Sequence, residues 1–159
     1  MSVVIRRAAF EDAEIVAEYA GKLAAQHREY DSERFTLLAD REQMAEYYGS
    51  QTSAEDAAVL VVELDGKIAG FAYIQFEPRN YADLLESAAW LHDIYVDEAA
   101  RGHNIGRKLI EASAKAAKEL GADKLMLLAA TENRFAQELF RQTGFRETMV
   151  EMMLSLDGK

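Results

Sequence analysis

The stretch Val96-Asp97-Glu98-Ala99-Ala100-Arg101-Gly102-His103-Asn104-Ile105-Gly106-Arg107-Lys108 decides how the rest of the chain is read. It follows an apolar run, Trp90-Leu91-His92-Asp93-Ile94-Tyr95-Val96, that reads as a strand. It opens a helix over 105–120, with Leu109, Ile110, Ala116 and Leu120 facing inward and Gly121 just past its end as a cap. Small residues stand where the backbone must turn sharply. Free amides at such a junction, together with the helix dipole, make a seat for phosphate oxygens. Arg101, Arg107 and Lys108 add positive charge to an otherwise acidic chain. An ordinary strand-to-helix turn with solvated basic residues fits the same letters equally well. The dinucleotide signature G-x-G-x-x-G is absent, and the loop follows the fourth strand instead of the first.

Working outward, Val3 to Arg7 reads as a first strand and residues 11–29 as a helix with the apolar stripe Ile15, Val16, Tyr19, Ala20, Leu23. Asp40 and Gln43 fit a variant capping box for a second helix carrying Met44, Tyr47 and Tyr48. Val59 to Leu64 and Lys67 to Phe76 form a hairpin about Asp65-Gly66. A polar connection over 77–86 leads to the strand before the loop. Leu125-Met126-Leu127-Leu128 is the apolar run of a buried parallel strand, Asn133 to Gln142 is a short helix stopped near Gly144, and Thr148 to Leu156 closes as a strand with Val150, Met152, Leu154 and Leu156 on one face. The order β-α-α-β-β-β-α-β-α-β predicts an α/β fold: a mixed twisted sheet flanked by helices, with a β-α-β crossover at residues 90–128.

The 159 residues suit a single domain over 1–159, since no repeat or linker-like stretch divides them. A formal charge of −10 makes a poor nucleic-acid binder but favours cationic partners. The absence of cysteine excludes disulfides and thiolate chemistry and suits a reducing compartment. Residues 1–7 lack a signal peptide's apolar core and no run approaches a membrane span, so a soluble, cytoplasmic protein is expected, with no membrane partner. The three histidines, His27, His92 and His103, lie in separate elements, and no metal site is expected.

Two segments together resemble the GNAT superfamily of acetyl-CoA-dependent N-acyltransferases. Val96 through Gly106 matches that family's pyrophosphate-loop pattern, Q/R-x-x-G-x-G/A, at Arg101 and Gly106. Asn133-Arg134-Phe135-Ala136-Gln137-Glu138-Leu139-Phe140-Arg141-Gln142-Thr143-Gly144-Phe145 resembles its N-x-x-A-x-x-L-Y-x-x-x-G-F segment. The resemblance, which extends to the polyamine and small-amine branch, implies the GNAT fold and acetyl-CoA as co-substrate. It also implies that Ile94 and Val96 offer backbone groups to the pantetheine and acyl carbonyl. Arg101, Gly102, His103, Asn104, Ile105, Gly106 and Arg107 would surround the pyrophosphate, and Asn133 would contact the cofactor. Asn104 stands where the pattern has glycine, and asparagine is the residue that best tolerates left-handed angles in its place.

Phe140 stands where many relatives carry a tyrosine that protonates the leaving thiolate. A thiol with a pKa near ~8.5 leaves tolerably without an acid, and water, Tyr95 or Tyr73 remain substitutes. The attacking amine must be neutral, so a base or a water route is needed. His92, in a position often held by glutamate in that branch, suits the task with an ordinary pKa of ~6.5. Asp93 serves alternatively as the base or as the anchor of a cationic amine. Tyr30, Asp31, Glu33 and Phe35, with Glu77, Tyr81, Asp83 and Glu86, interleave carboxylates and aromatics as a cationic acceptor would require. The expected activity is therefore direct transfer of acetyl to a primary amine of a small cationic molecule in a ternary complex. A protein or peptide acceptor, or a non-catalytic acyl-CoA-binding module, are the alternatives. Relatives are frequently dimers, and the last strand, with Met149, Met152 and Met153, is the segment that a homodimer would use.

Overall fold

The computed structural model describes residues 1–158. The elements are β1 (Val3–Arg7), α1 (Ala13–Tyr30), α2 (Arg41–Gln51), β2 (Ala57–Leu64), β3 (Lys67–Glu77), β4 (Ala88–Val96), α3 (Ile105–Glu119), β5 (Leu125–Met126) and α4 (Arg134–Gln142). The strands lie in sequence order, antiparallel from β1 through β4, with β5 parallel to β4. The anticipated mixed sheet and crossover are present.

Local chemistry explains the elements. Asp65 and Gly66 adopt φ of 51° and 83°, the paired left-handed angles of a tight hairpin turn. Asp40 caps α2 by accepting the Gln43 amide at 3.0 Å. The first helix starts later than anticipated: residues 10–12 form a single 3₁₀ turn, whose Asp12 carboxylate accepts the Ala9 amide and ion-pairs with Arg6 at 2.8 Å. Arg6 also reaches Glu63 at 2.5 Å, so one guanidinium ties β1 to β2 and to that turn.

The sheet is covered on both faces, and its central strands read accordingly as continuous apolar runs. Leu60, Val62, Ile74 and Leu91 pack against Ile105 and Leu109 of α3. Val59, Val61, Phe71, Tyr73 and Tyr95 pack against Val16 and Tyr19 of α1 and Tyr48 of α2. A Cβ on Gly70 would lie 2.4 Å from the Tyr95 carbonyl oxygen, so glycine is what lets β3 approach β4 there.

Two expectations are corrected. Residues 148–156 form no strand: among the described residues their backbone finds no backbone partner, and Met152 and Leu156 are 88% and 91% exposed. The run Leu125–Leu128 is not a buried strand either. Only Leu125 and Met126 pair with β4, and Leu128 is 72% exposed. The physical reason is shared, since β5 is the last strand of the sheet and, among the described residues, no strand pairs with its outer edge.

Candidate active site

The site is built on an irregularity in β4. Tyr73 of β3 opposes Asp93, yet the next residue, Ile74, opposes Leu91, which leaves His92 as an extra residue on β4. A bulge of this kind resets the alternation of side chains between the faces. Ala89 and Leu91 face the α3 core, and after the bulge so do Ile94 and Val96. His92 and Asp93, adjacent in sequence, are thereby turned to the same side, toward α2 and β3.

His92 is partly exposed, and its Nε2 meets Glu77 Oε2 at 2.6 Å. Its ring stacks on Tyr73 and Trp90, with centroids 5.9 and 6.3 Å away. With Nε2–H donating to the carboxylate, Nδ1 keeps its lone pair free to accept a proton. Asp93 is largely buried and accepts the Tyr48 hydroxyl at 2.7 Å. Burial raises its pKa above the ordinary carboxylate value; the Tyr48 hydrogen bond and the nearby His92 and His27 act against that rise. The Tyr48 phenol is pushed well up by burial and by the Asp93 charge. The Tyr73 phenol is likewise raised, first by burial and then by its bond to Tyr47.

An open cleft of about 480 Å³ lies in front of His92 and Glu77, and Asp93 does not line it. Glu77, Tyr81, Asp83, Trp90, His92 and Leu128 are among its lining residues. Arg79 also lines it, but its charge is engaged: the edge of its guanidinium makes two bonds of 2.7 Å to Glu86 and one face lies over the Tyr81 ring. Glu77 and Asp83 therefore leave the cleft acidic, with aromatic walls.

Next to the cleft, β4 and β5 pair at only two positions, Ala89 with Leu125 and Trp90 with Met126. Past these the strands have no ladder between them, so the β5-facing edge of β4 through Ile94 and Val96 is open. The Val96 carbonyl there accepts Arg101 Nε at 3.3 Å. The following loop turns through three left-handed residues, Gly102, His103 and Asn104, at φ of 101°, 58° and 59°. Among the described residues, the amides of those three donate to no protein acceptor. Asn104 adopts the left-handed conformation anticipated for it, directly before α3. A Cβ on Gly106 would meet Leu139 of α4 at 3.1 Å, so this glycine also sets how closely α3 and α4 pack. Asn133 caps α4 by accepting the Ala136 amide at 3.2 Å. The loop amides and the start of α3 fit a pyrophosphate, and the gap between β4 and β5 fits an extended amide chain laid along a strand edge.

The remaining candidates separate cleanly. Phe140 is buried against Phe145, with centroids 5.7 Å apart. The Tyr73 hydroxyl is occupied by Tyr47 at 2.6 Å, Gln51 at 3.1 Å and Gln75 at 3.2 Å. The Tyr95 ring is buried beside Tyr19, and its hydroxyl has no hydrogen-bond partner among the described residues. Tyr30, Asp31, Glu33 and Phe35 do not line the cleft. The Asp31 carboxylate accepts the amides of Glu33 and Arg34, while Tyr30 and Phe35 pack edge-on against His27. Sequence reasoning missed Tyr48 as the partner of Asp93 and Glu77 as the partner of His92, because both contacts join residues from different elements. Among the described residues, no group of three or more His, Cys, Asp or Glu side chains is placed to hold a metal ion.

Residues 14–145 match the model of the Acetyltransferase (GNAT) family. The chain belongs to that family, and with it to the acetyl-CoA-dependent N-acetyltransferases. A putative phosphinothricin acetyltransferase, YwnH of Bacillus subtilis (strain 168), is 29% identical over 159 residues, 99% of this chain and 93% of that protein. The uncharacterized N-acetyltransferase YycN of the same organism is 33% identical over 89 residues, 56% of this chain and about half (54%) of that protein. Among solved structures, the aminoglycoside N-acetyltransferase AAC(6')-Iy in complex with CoA superposes with a TM-score of 0.79 at 17% identity, covering 97% of this chain and 94% of that one, a likeness of fold.

Proposed function

We propose that the protein transfers acetyl from acetyl-CoA to a primary amine of a small cationic molecule, by direct attack in a ternary complex. The observation that carries this reading is the His92–Glu77 pair, 2.6 Å apart, set in an acidic, aromatic cleft beside the open edge of β4. Acetyl-CoA supplies an activated thioester when bound. The amides of Gly102, His103 and Asn104, the start of α3 with Ile105 and Gly106, and the charges of Arg101 and Arg107 would hold its pyrophosphate. Backbone groups of Ile94 and Val96 would align its arm, with Asn133 at the adjoining helix.

His92 Nδ1 takes the proton from the incoming ammonium, directly or through water, while Glu77 fixes the ring and stabilises the imidazolium that results. Asp93 lies on the same side and draws a cationic amine toward β4. Tyr95, whose hydroxyl has no hydrogen-bond partner among the described residues, is the donor we assign to the leaving thiolate by elimination, because Phe140 has no proton and the Tyr73 hydroxyl is engaged. Glu77, Asp83, Tyr81 and Trp90 bind the rest of the cation in place of the segment 30–35.

The family match and the small-molecule acceptors in the names of YwnH and of streptothricin acetyltransferase from Streptomyces lavendulae support a small acceptor. The last is 34% identical over 92 residues, 58% of this chain and 46% of that protein. We further propose one catalytic domain over 1–159, a cytoplasmic location in keeping with the lack of cysteine, and a homodimer. No helix among the described residues is long and apolar enough to cross a membrane. The test is thiol release from acetyl-CoA with polyamines, aminoglycosides, amino acids and short peptides. Release with the multiply charged small amines supports the reading. Release with peptides alone, or none while acetyl-CoA still binds, contradicts it.

A further inference from the structure

We propose that the cleft carries a guanidinium-binding subsite, formed by Glu86 and Tyr81 and filled in the free protein by the chain's own Arg79. An acceptor with a guanidinium at the end remote from its amine displaces Arg79 from it. This deepens the small-amine reading and rests on it for the reacting end of the acceptor. Residues 79–86 make a hairpin in miniature. Asn80 and Leu85 exchange backbone bonds of 2.9 and 3.1 Å. The Asn80 side-chain oxygen accepts the Ala82 amide at 2.9 Å, and Leu84 stands in the turn at φ 53°. Arg79 and Glu86, the next residues outward, therefore meet across the two arms.

Arg79 Nε and Nη2 donate to the two Glu86 carboxylate oxygens, each at 2.7 Å, a fork-to-fork geometry that an ammonium cannot make. Nη1 donates to the Tyr81 hydroxyl at 3.2 Å, and the guanidinium carbon lies 5.7 Å from the Tyr81 ring centroid. Carboxylate, hydroxyl and ring converge on one planar cation, and Arg79 and Tyr81 both line the cleft that His92 lines. Among the described residues of that lining, Arg79 is the one Lys or Arg side chain, against Glu77 and Asp83. A cation of the chain itself, held at the wall of an acidic cleft by groups suited to a cationic ligand, stands in the place of that ligand. The Arg79 and Glu86 side chains are 55% and 71% exposed. Ion pairs so exposed contribute little net stability. Exchange for a ligand's guanidinium, tethered to an amine at His92, therefore costs little. Were Arg79 only a staple of the hairpin, its loss would loosen Tyr81 and Asp83 and weaken every ligand of the cleft.

Calorimetry on the full chain, with CoA present so that no acetyl is transferred, separates the two. The probes are agmatine, a guanidinoalkylamine, and cadaverine, a diamine of similar length and equal charge. The ratio of their dissociation constants cancels a change in the net charge of the cleft, which acts on both alike. Arg79→Gln should shift that ratio roughly two- to fivefold in favour of agmatine, the range set by an exposed ion pair. Adding Glu86→Gln should return the ratio to the wild-type value or below, with the far-UV circular dichroism spectrum unchanged in both variants. A ratio unmoved by Arg79→Gln, weaker binding of both probes to that variant, or a ratio still raised in the double variant would overturn the proposal. Thiol release from acetyl-CoA reports separately on the reacting end. Agmatine held through Glu86 yet never acetylated would contradict the small-amine reading and leave the subsite standing.

Discussion

His92 and Asp93 share a face only because β4 carries one residue too many, and each answers to a different neighbour. Replacing His92 with Gln keeps a polar side chain but removes the proposed proton acceptor. We expect kcat to fall by roughly 10²–10⁴-fold with little change in the KM for acetyl-CoA, measured by steady-state thiol release. Glu77→Gln should give a smaller loss in kcat and raise the KM of a cationic amine, since it removes both the ring's carboxylate partner and a charge from the cleft.

Asp93 bears on stability. Its pKa is raised on folding, so between the ordinary and the raised value the folded state binds more protons than the unfolded one. In that window stability falls as pH rises. Asp93→Asn, which keeps an acceptor for Tyr48, should remove this fall. Urea unfolding at a series of pH values from acid to neutral would show the wild type losing stability relative to the variant. A parallel pH dependence in the two proteins would place the titration elsewhere.

Much of this was legible. Asp93 stands out as a carboxylate on an apolar strand, and His92 beside it. The bulge also left a trace in the sequence: the inward apolar positions are Ala89 and Leu91 before it but Ile94 and Val96 after it, a change of parity that one extra residue explains. Glu77 and Tyr48 as partners were not legible, because nothing local to residues 48, 77 or 92 encodes which distant side chains will meet.

At the scale of elements, the β4–α3 loop is set by its backbone angles. Asn104 at φ 59° should accept Gly without loss of CoA affinity. Asn104→Val places a β-branched side chain in the left-handed region and should cost roughly 1–2 kcal/mol, read from denaturant melts, with weaker CoA binding by calorimetry. Gly70→Ala, whose Cβ would meet a backbone oxygen at 2.4 Å, should cost about 1–3 kcal/mol. The hairpin, the capped α2 and the loop were readable because the signals that form them are local: Asp65-Gly66, Asp40 with Gln43, and the Asn before a helix. Residues 148–156 were read as a strand and form none. Alternation gives a segment the pattern of a strand, but it carries no information on whether an edge will pair with it.

For the whole molecule, a formal charge of −10 and an acidic cleft act in the same direction on a cationic acceptor. Attraction of this kind is screened over a Debye length of about 8 Å at physiological ionic strength. The kcat/KM for a polycationic amine should therefore fall as salt is added, while the KM for acetyl-CoA should respond differently if its phosphates meet Arg101 and Arg107 as proposed.

The most direct test of the account is a comparison of kcat/KM for an α,ω-diamine and a monoamine of the same length, followed by thiol release from acetyl-CoA. A cleft walled by Glu77, Asp83, Tyr81 and Trp90 predicts a strong preference for the diamine, lost in Glu77→Gln and at high salt. Equal turnover of the two amines, or a preference that survives both changes, would contradict the assignment of this cleft to a cationic acceptor.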